Sequence, residues 1–192
     1  MVLTPSRMLS LGTELPPFAL RDGEGRGVRS ADFAGCPLLV VFMCNHCPYV
    51  KHIKTELAQL GRDLTEKGVA MVGINPNDVD RYTDDAPAKM VEDARAFGYS
   101  FPYLLDEDQS VAKAFQAACT PEFYLFDKGH RLVYRGQLDD SRPANGRPVT
   151  GRDVRAAIDA LLEGRPPLDD QTPSVGCNVK WKAGNEPAWW NS

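Results

Sequence analysis

The chain has 192 residues, of which 43% are apolar and 25% charged, with a formal net charge of −4. That size and composition suit one globular domain with a full core, and the mild acidity argues against a nucleic-acid binder, which presents a basic face. No segment has the run of about 20 apolar residues that a membrane-spanning helix needs, and the first 18 residues lack the apolar core of a secretory signal. The expectation is a soluble, cytoplasmic protein with no membrane or nucleic-acid partner.

In chain order, residues 1–17 read as an irregular, Pro-rich arm. "FALRDGEGRGVRSADF" reads as a hairpin or loop turned by Gly23, Gly25 and Gly27. These glycines only mimic a dinucleotide fingerprint, since no strong strand precedes them and no helix follows. "PLLVVFM" is a short, uninterrupted apolar run with β-branched content, as expected of a strand buried on both faces. From about His46 to Glu66 the pattern becomes helical, with Val50, Ile53, Leu57, Leu60 and Leu64 recurring every three or four residues. Gly68 ends that helix and "VAMVGIN" is a second buried strand.

"PNDVDRYTDDAP" is a polar loop in which Thr83 or Asp84 is expected to cap a helix. Pro87 lies in the first turn of that helix, which runs to about Phe97. "YLL" is a short strand and "DQSVAKAFQA" a short helix. "EFYLFD" and "HRLVYRGQL", joined by "DKG", form an antiparallel hairpin, and "GRDVRAAIDALLEG" is the last helix. The order β-α-β-α-β-α-β-β-α makes this an α/β protein with a mixed central sheet flanked by helices. Residues 1–164 are read as the domain. Residues 165–192 are read as an extended tail without regular structure, packed on the domain or on a partner subunit.

The five cysteines are Cys36, Cys44, Cys47, Cys119 and Cys177, too few and too odd in number for a disulfide-stapled scaffold. Cys44-Asn45-His46-Cys47 follows the first strand and opens the first helix. Free amides and the positive helix end stabilise a thiolate there, and one helical turn brings the second thiol alongside to resolve a mixed disulfide. His46, when protonated, adds positive charge beside Cys44. Pro48 biases Cys47 away from helical geometry, so the helix is expected to begin at Pro48. Two other readings stand beside the redox one. The pair could be two small buried hydrophobes. It could also belong to a zinc site of Cys44, Cys47 and His52 with Cys119 or Cys177, although the second short-spaced ligand pair of such a site is missing. No metal and no cofactor are expected.

With "ACTPEFYLFDKGHRLVYRGQLDD" added, the chain from about Leu15 to Gly164 resembles the thioredoxin-fold superfamily. It is most similar to the redoxin branch of TlpA/ResA-like thiol–disulfide oxidoreductases and AhpC/TSA peroxiredoxins. The resemblance implies a thioredoxin-like fold with an N-terminal hairpin, an inserted helix and a C-terminal extended arm. It implies that Cys44 attacks and Cys47 resolves, with Asn45 and His46 between them. It also implies a cis-proline at Pro121, with Thr120 offering backbone hydrogen bonds to an extended substrate. Substrates would be protein or low-molecular-weight disulfides and thiols, with an unidentified electron donor and an open oligomeric state.

The sequence departs from thioredoxin at Met43, Leu38 and His46, where thioredoxin has tryptophan, the buried aspartate and proline. These departures fit a more specialised or more oxidising exchange protein, active in redox homeostasis. The runner-up is an antioxidant thiol peroxidase. However, Cys44 occupies the threonine position of the peroxiredoxin Thr-x-x-Cys, and Pro37 is too far away to stand in for the family proline. Arg135 or Arg142 would then support the thiolate. A non-enzymatic metal-binding or redox-sensing module is the third reading.

Cys119 lies two residues before Pro121 and is a further candidate thiol, Glu122 is a candidate proton-tuning acid, and Cys36 reads as structural or idle. Cys177 sits in a tail that also holds the chain's only three tryptophans, Trp181, Trp189 and Trp190. If the tail passes the active site, Cys177 is expected to resolve a disulfide with Cys44 or to close a metal site.

Overall fold

A computed structural model describes residues 3–191. Strand β4 (Leu38–Phe42) is buried at every residue. It pairs in parallel with β5 (Ala70–Asn75) and antiparallel with β8 (Glu122–Phe126). With β2 (Ala19–Asp22), β3 (Gly27–Arg29), β6 (Tyr103–Leu105) and β9 (Leu132–Gly136) these make a seven-stranded mixed sheet, ordered β3-β2-β6-β5-β4-β8-β9. Alternate residues of β4 serve opposite faces, as the pleat dictates. Leu39 and Val41 meet the Val50, Ile53, Leu57, Leu60, Leu64 stripe of α1 (Pro48–Glu66), together with Val154 and Ile158 of α4 (Arg152–Leu162). Leu38, Val40 and Phe42 meet Val111 and Ala112 of α3 (Ser110–Ala114), along with Phe115 and Trp181. A strand with helices on both faces has no polar side to expose, which explains its unbroken apolar run. No helix among the described residues is long and apolar enough to cross a membrane.

Three sequence expectations need correction. Residues 3–5 of the arm form β1 (Leu3–Pro5), and the tail contains β10 (Val175–Asn178). With β7 (Cys119–Thr120) they form a second sheet ordered β1-β10-β7, in which β1 and β7 each pair antiparallel with β10. These strands are too short to show a period and owe their form to partners distant in the chain. The inserted helix, α2 (Pro87–Phe97), is capped by Ala86 rather than Thr83 or Asp84. Residues Thr83–Asp85 form a separate 3₁₀ turn, because the Asp85 carboxylate turns inward toward the cysteine motif instead of toward α2. The first helix begins at Pro48, as expected, with Cys47 as its cap.

The tail packs on its own domain. The Trp181 ring sits against Trp189 and Trp190, with centroids 6.0 Å away in each case. Gln109 ties the tail down through its side chain, donating to Lys180 O and accepting from Lys182 N.

Candidate active site

The chain leaves β4 at Phe42 and enters α1 at Pro48, so Cys44 and Cys47 lie at the carboxyl end of a central strand, where open α/β sheets place their chemistry. Facing them is the Thr120–Pro121 peptide, which is cis. Cys44 Sγ lies 3.5 Å from Thr120 Oγ1, and Cys47 Sγ lies 3.3 Å from the Thr120 carbonyl oxygen. Both cysteines are fully buried.

The two thiols occupy opposite electrostatic environments. Cys47 is the N-cap of α1, where helix amides lack carbonyl partners. Its thiol is held well below the usual range, first by hydrogen bonding from Cys177, then from Cys44 and the Val50 amide, against the opposing effect of burial. Cys44 is pushed well above the usual range, first by burial, then by its hydrogen bond to Cys47 and the nearby Asp85 charge. The sequence reading put the thiolate on Cys44. In the structure the cap of α1 is Cys47, and Cys44 lies three residues ahead of it.

Asp85, absent from the sequence reading, organises the other side of the motif. It is fully buried, and it accepts hydrogen bonds from Asn45 N at 2.8 Å, His46 N at 3.1 Å, His46 Nδ1 at 2.6 Å and Asn77 Nδ2 at 2.8 Å. Burial raises its pKa, but the bonds from His46, Asn77 and the Asn45 amide outweigh this and hold it below the ordinary carboxylate value. The His46 ring stacks on Tyr82, with centroids 5.2 Å apart. Asn45 is pinned by a 3.0 Å bond from Tyr103 Oη to its side-chain oxygen. Ligand-type atoms of Cys44, His46 and Asp85 all lie within 4.8 Å of one another.

His52, a member of the imagined zinc set, instead bonds to Ser141 Oγ at 2.7 Å. Arg135 bonds to Leu9 O and Gln171, and Arg142 to Asp139 O, Ser141 O and Gln137. Their guanidinium groups are therefore held by other partners than the cysteine pair. Cys119 is buried behind Pro121, with Sγ 3.9 Å from the Pro121 oxygen and from Glu122 Oε2, and its thiol is raised first by burial and then by Glu122. Glu122 Oε2 accepts from the Ala118 and Cys119 amides, which fixes the strand that carries Thr120, and burial raises its own pKa. Cys36 lies apart, 3.5 Å from Gly68 O.

Cys177 is brought to Cys47, not to Cys44, with their sulfurs 2.8 Å apart. The register of β10 on β7 sets Cys177 opposite Thr120, and the Thr120 carbonyl is what adjoins Cys47. The Thr120 edge expected to receive a substrate is thus occupied by the chain's own tail.

The model of the AhpC/TSA family matches residues 11–135. The chain belongs to the AhpC/TSA family. Among solved structures, an uncharacterized conserved protein from Geobacillus kaustophilus is 53% identical. Its TM-score is 0.92, and the match covers 95% of this chain and 97% of that one. ResA, a thiol-disulfide oxidoreductase of Geobacillus thermodenitrificans, is 25% identical over 67% of this chain and 70% of its own. "Putative peroxiredoxin Rv2521" of Mycobacterium tuberculosis is 29% identical over 64% of this chain and 73% of its own. Thiol–disulfide interchange proteins among solved structures share the thioredoxin-like fold at lower identity. The chain is therefore a member of the AhpC/TSA family similar to ResA-type redoxins, with the thioredoxin-like fold the sequence resemblance implies.

Proposed function

We propose that the protein exchanges a Cys44–Cys47 dithiol with disulfides of proteins or small molecules. The observation that carries this reading is Cys47 at the cap of α1 with Cys44 beside it, their sulfurs 3.3 and 3.5 Å from Thr120 oxygens at the cis Thr120–Pro121 peptide. Only a thiolate attacks a disulfide, and the open amides of the helix cap favour one on Cys47. Attack by Cys47 gives a mixed disulfide and expels one substrate thiolate. Cys44 then attacks the Cys47 sulfur and expels the second, leaving the Cys44–Cys47 disulfide and two reduced substrate thiols. Cys44 must lose a proton to do so, and the adjoining His46–Asp85 pair is placed to take it.

Insulin-disulfide reduction with dithiothreitol tests the activity. Wild-type protein reduces insulin and Cys47→Ser does not, while the double variant Cys44→Ser, Cys177→Ser accumulates a mixed disulfide on Cys47. Wild-type protein without exchange activity contradicts the proposal.

A second reading, thiol peroxidase, has one observation in its favour. The depressed thiol is Cys47, the position that aligns with the peroxiredoxin cysteine, and a second thiol stands 2.8 Å from it. Hydrogen-peroxide turnover with a sulfenic acid trapped on Cys47 supports that reading.

A further inference from the structure

The tail does more than cover the domain. β10 lies antiparallel to β7, with Cys177 opposite Thr120 and Asn178 opposite Cys119, and the Val179 amide donates to Ala118 O at 3.0 Å. It is held on its outer side by β1, where Ser6 N donates to Ser174 O at 2.8 Å. Its close approach to the cis-proline wall depends on one residue. A Cβ on Gly176 would lie 2.0 Å from the Thr120 carbonyl oxygen and 3.3 Å from Pro121 Cδ, so only glycine fits. The next residue then delivers its sulfur to Cys47, and Cys177 is 3% exposed, held where a free tail cysteine would not be.

We propose that Cys177 is a third redox thiol, presented to Cys47 by β10 in the way an extended peptide substrate would be. It forms an intramolecular Cys47–Cys177 disulfide in competition with Cys44. This inference rests on the reading of Cys47 as the exchanging thiolate. After Cys47 has formed a mixed disulfide with a substrate R–S–S–R′, R′ has left as a thiolate. Cys177 gives up its proton and attacks the Cys47 sulfur, the Cys47–S–R bond breaks, and R leaves as a thiol carrying that proton. The chain has lost two electrons and the substrate disulfide has gained them. The geometry needed is small motion only, since a disulfide's sulfurs lie about 2.05 Å apart and these stand at 2.8 Å. The product locks β10 over the motif, and reduction of that bond is then required before an external partner regains the Thr120 edge.

The test uses the full chain carrying Cys44→Ser, reduced, exposed to oxidised glutathione, quenched in acid, alkylated and mapped by non-reducing peptide mass spectrometry. The expected product is a Cys47–Cys177 link in most molecules, with glutathione retained on Cys47 in fewer than about a tenth. Adding Gly176→Val, which displaces β10 without touching a sulfur, should lower the link at least tenfold and raise the glutathione adduct correspondingly. Adding Cys177→Ser instead should leave glutathione on Cys47. A stable glutathione adduct on Cys47 with Cys177 alkylated in the Cys44→Ser protein overturns the proposal and leaves disulfide exchange standing. A link that forms equally well with Gly176→Val overturns the role of β10. A Cys47 that takes up neither glutathione nor Cys177 overturns the exchange reading as well.

Discussion

The Asp85 carboxylate accepts a 2.6 Å hydrogen bond from His46 Nδ1 across 39 residues of sequence. The same carboxylate holds the Asn45 and His46 amides, so the backbone between the two cysteines hangs from one buried anion. This contact couples the loop before α2 to the chemistry at the start of α1.

Replacing that anion by its neutral isostere should separate shape from charge. Asp85→Asn can no longer satisfy all four donors, and losing buried acceptance costs about 1–3 kcal/mol. Asp85 is depressed in the folded state, so the stability it contributes is present above about pH 3.9 and is lost as pH falls through its folded value. Thermal melts of the two proteins should therefore differ most near neutrality and converge in acid. The same substitution removes one charge that raises Cys44, so the pH midpoint for Cys44 alkylation should fall.

Cys177 supplies the largest influence lowering Cys47. Cys177→Ala should raise the pH midpoint of Cys47 alkylation by iodoacetamide, toward the free-thiol value of about 8.5. The midpoint, unlike the absolute rate, does not depend on how far the tail uncovers the sulfur. An unshifted midpoint contradicts the assigned source of the acidity.

These relationships differ in how legible they are in the sequence. The β4 run and the α1 stripe are local patterns imposed by burial on two faces and on one, and they can be read directly. The cysteine motif is legible for the same reason, since strand, spacing and helix are contiguous. Asp85 is not, because a buried acid and a helix-capping acid look alike in "TDDAP". β1 and β10 are not legible either, being three and four residues long and formed only against each other and β7. Cys177 is visible as a cysteine, but its partner depends on the β10 register, which no local pattern specifies.

Lys54 of α1 is almost wholly buried, and its ammonium lies 2.6 Å from Asp93 of α2. Asp93→Ala leaves that charge buried without its partner and should cost about 3–5 kcal/mol. Pairing it with Lys54→Met should recover most of the loss. Urea unfolding of the single and double variants measures both.

Asp106 accepts from the Val111 and Ala112 amides at the start of α3, yet burial raises its pKa to about 6. The folded chain therefore binds more protons than the unfolded chain between about pH 4 and 6, and this group's contribution to stability falls as pH rises through that window. The size is about 3 kcal/mol. Asp106→Asn should flatten this component, seen as a stability difference from wild type that changes between pH 4 and 7. A difference constant over that range contradicts the assignment.

The most direct test of disulfide exchange is the reduction potential of the full chain, equilibrated in dithiothreitol or glutathione buffers, with thiols trapped in acid and disulfides mapped. A reduced form stabilised as the Cys47 thiolate makes the couple more oxidising. The expected result is a two-electron couple, changing tenfold in ratio per 29.6 mV, centred above thioredoxin's value of about −270 mV and with Cys47 in the disulfide. A chain in which Cys47 stays reduced between about −300 and −120 mV contradicts it.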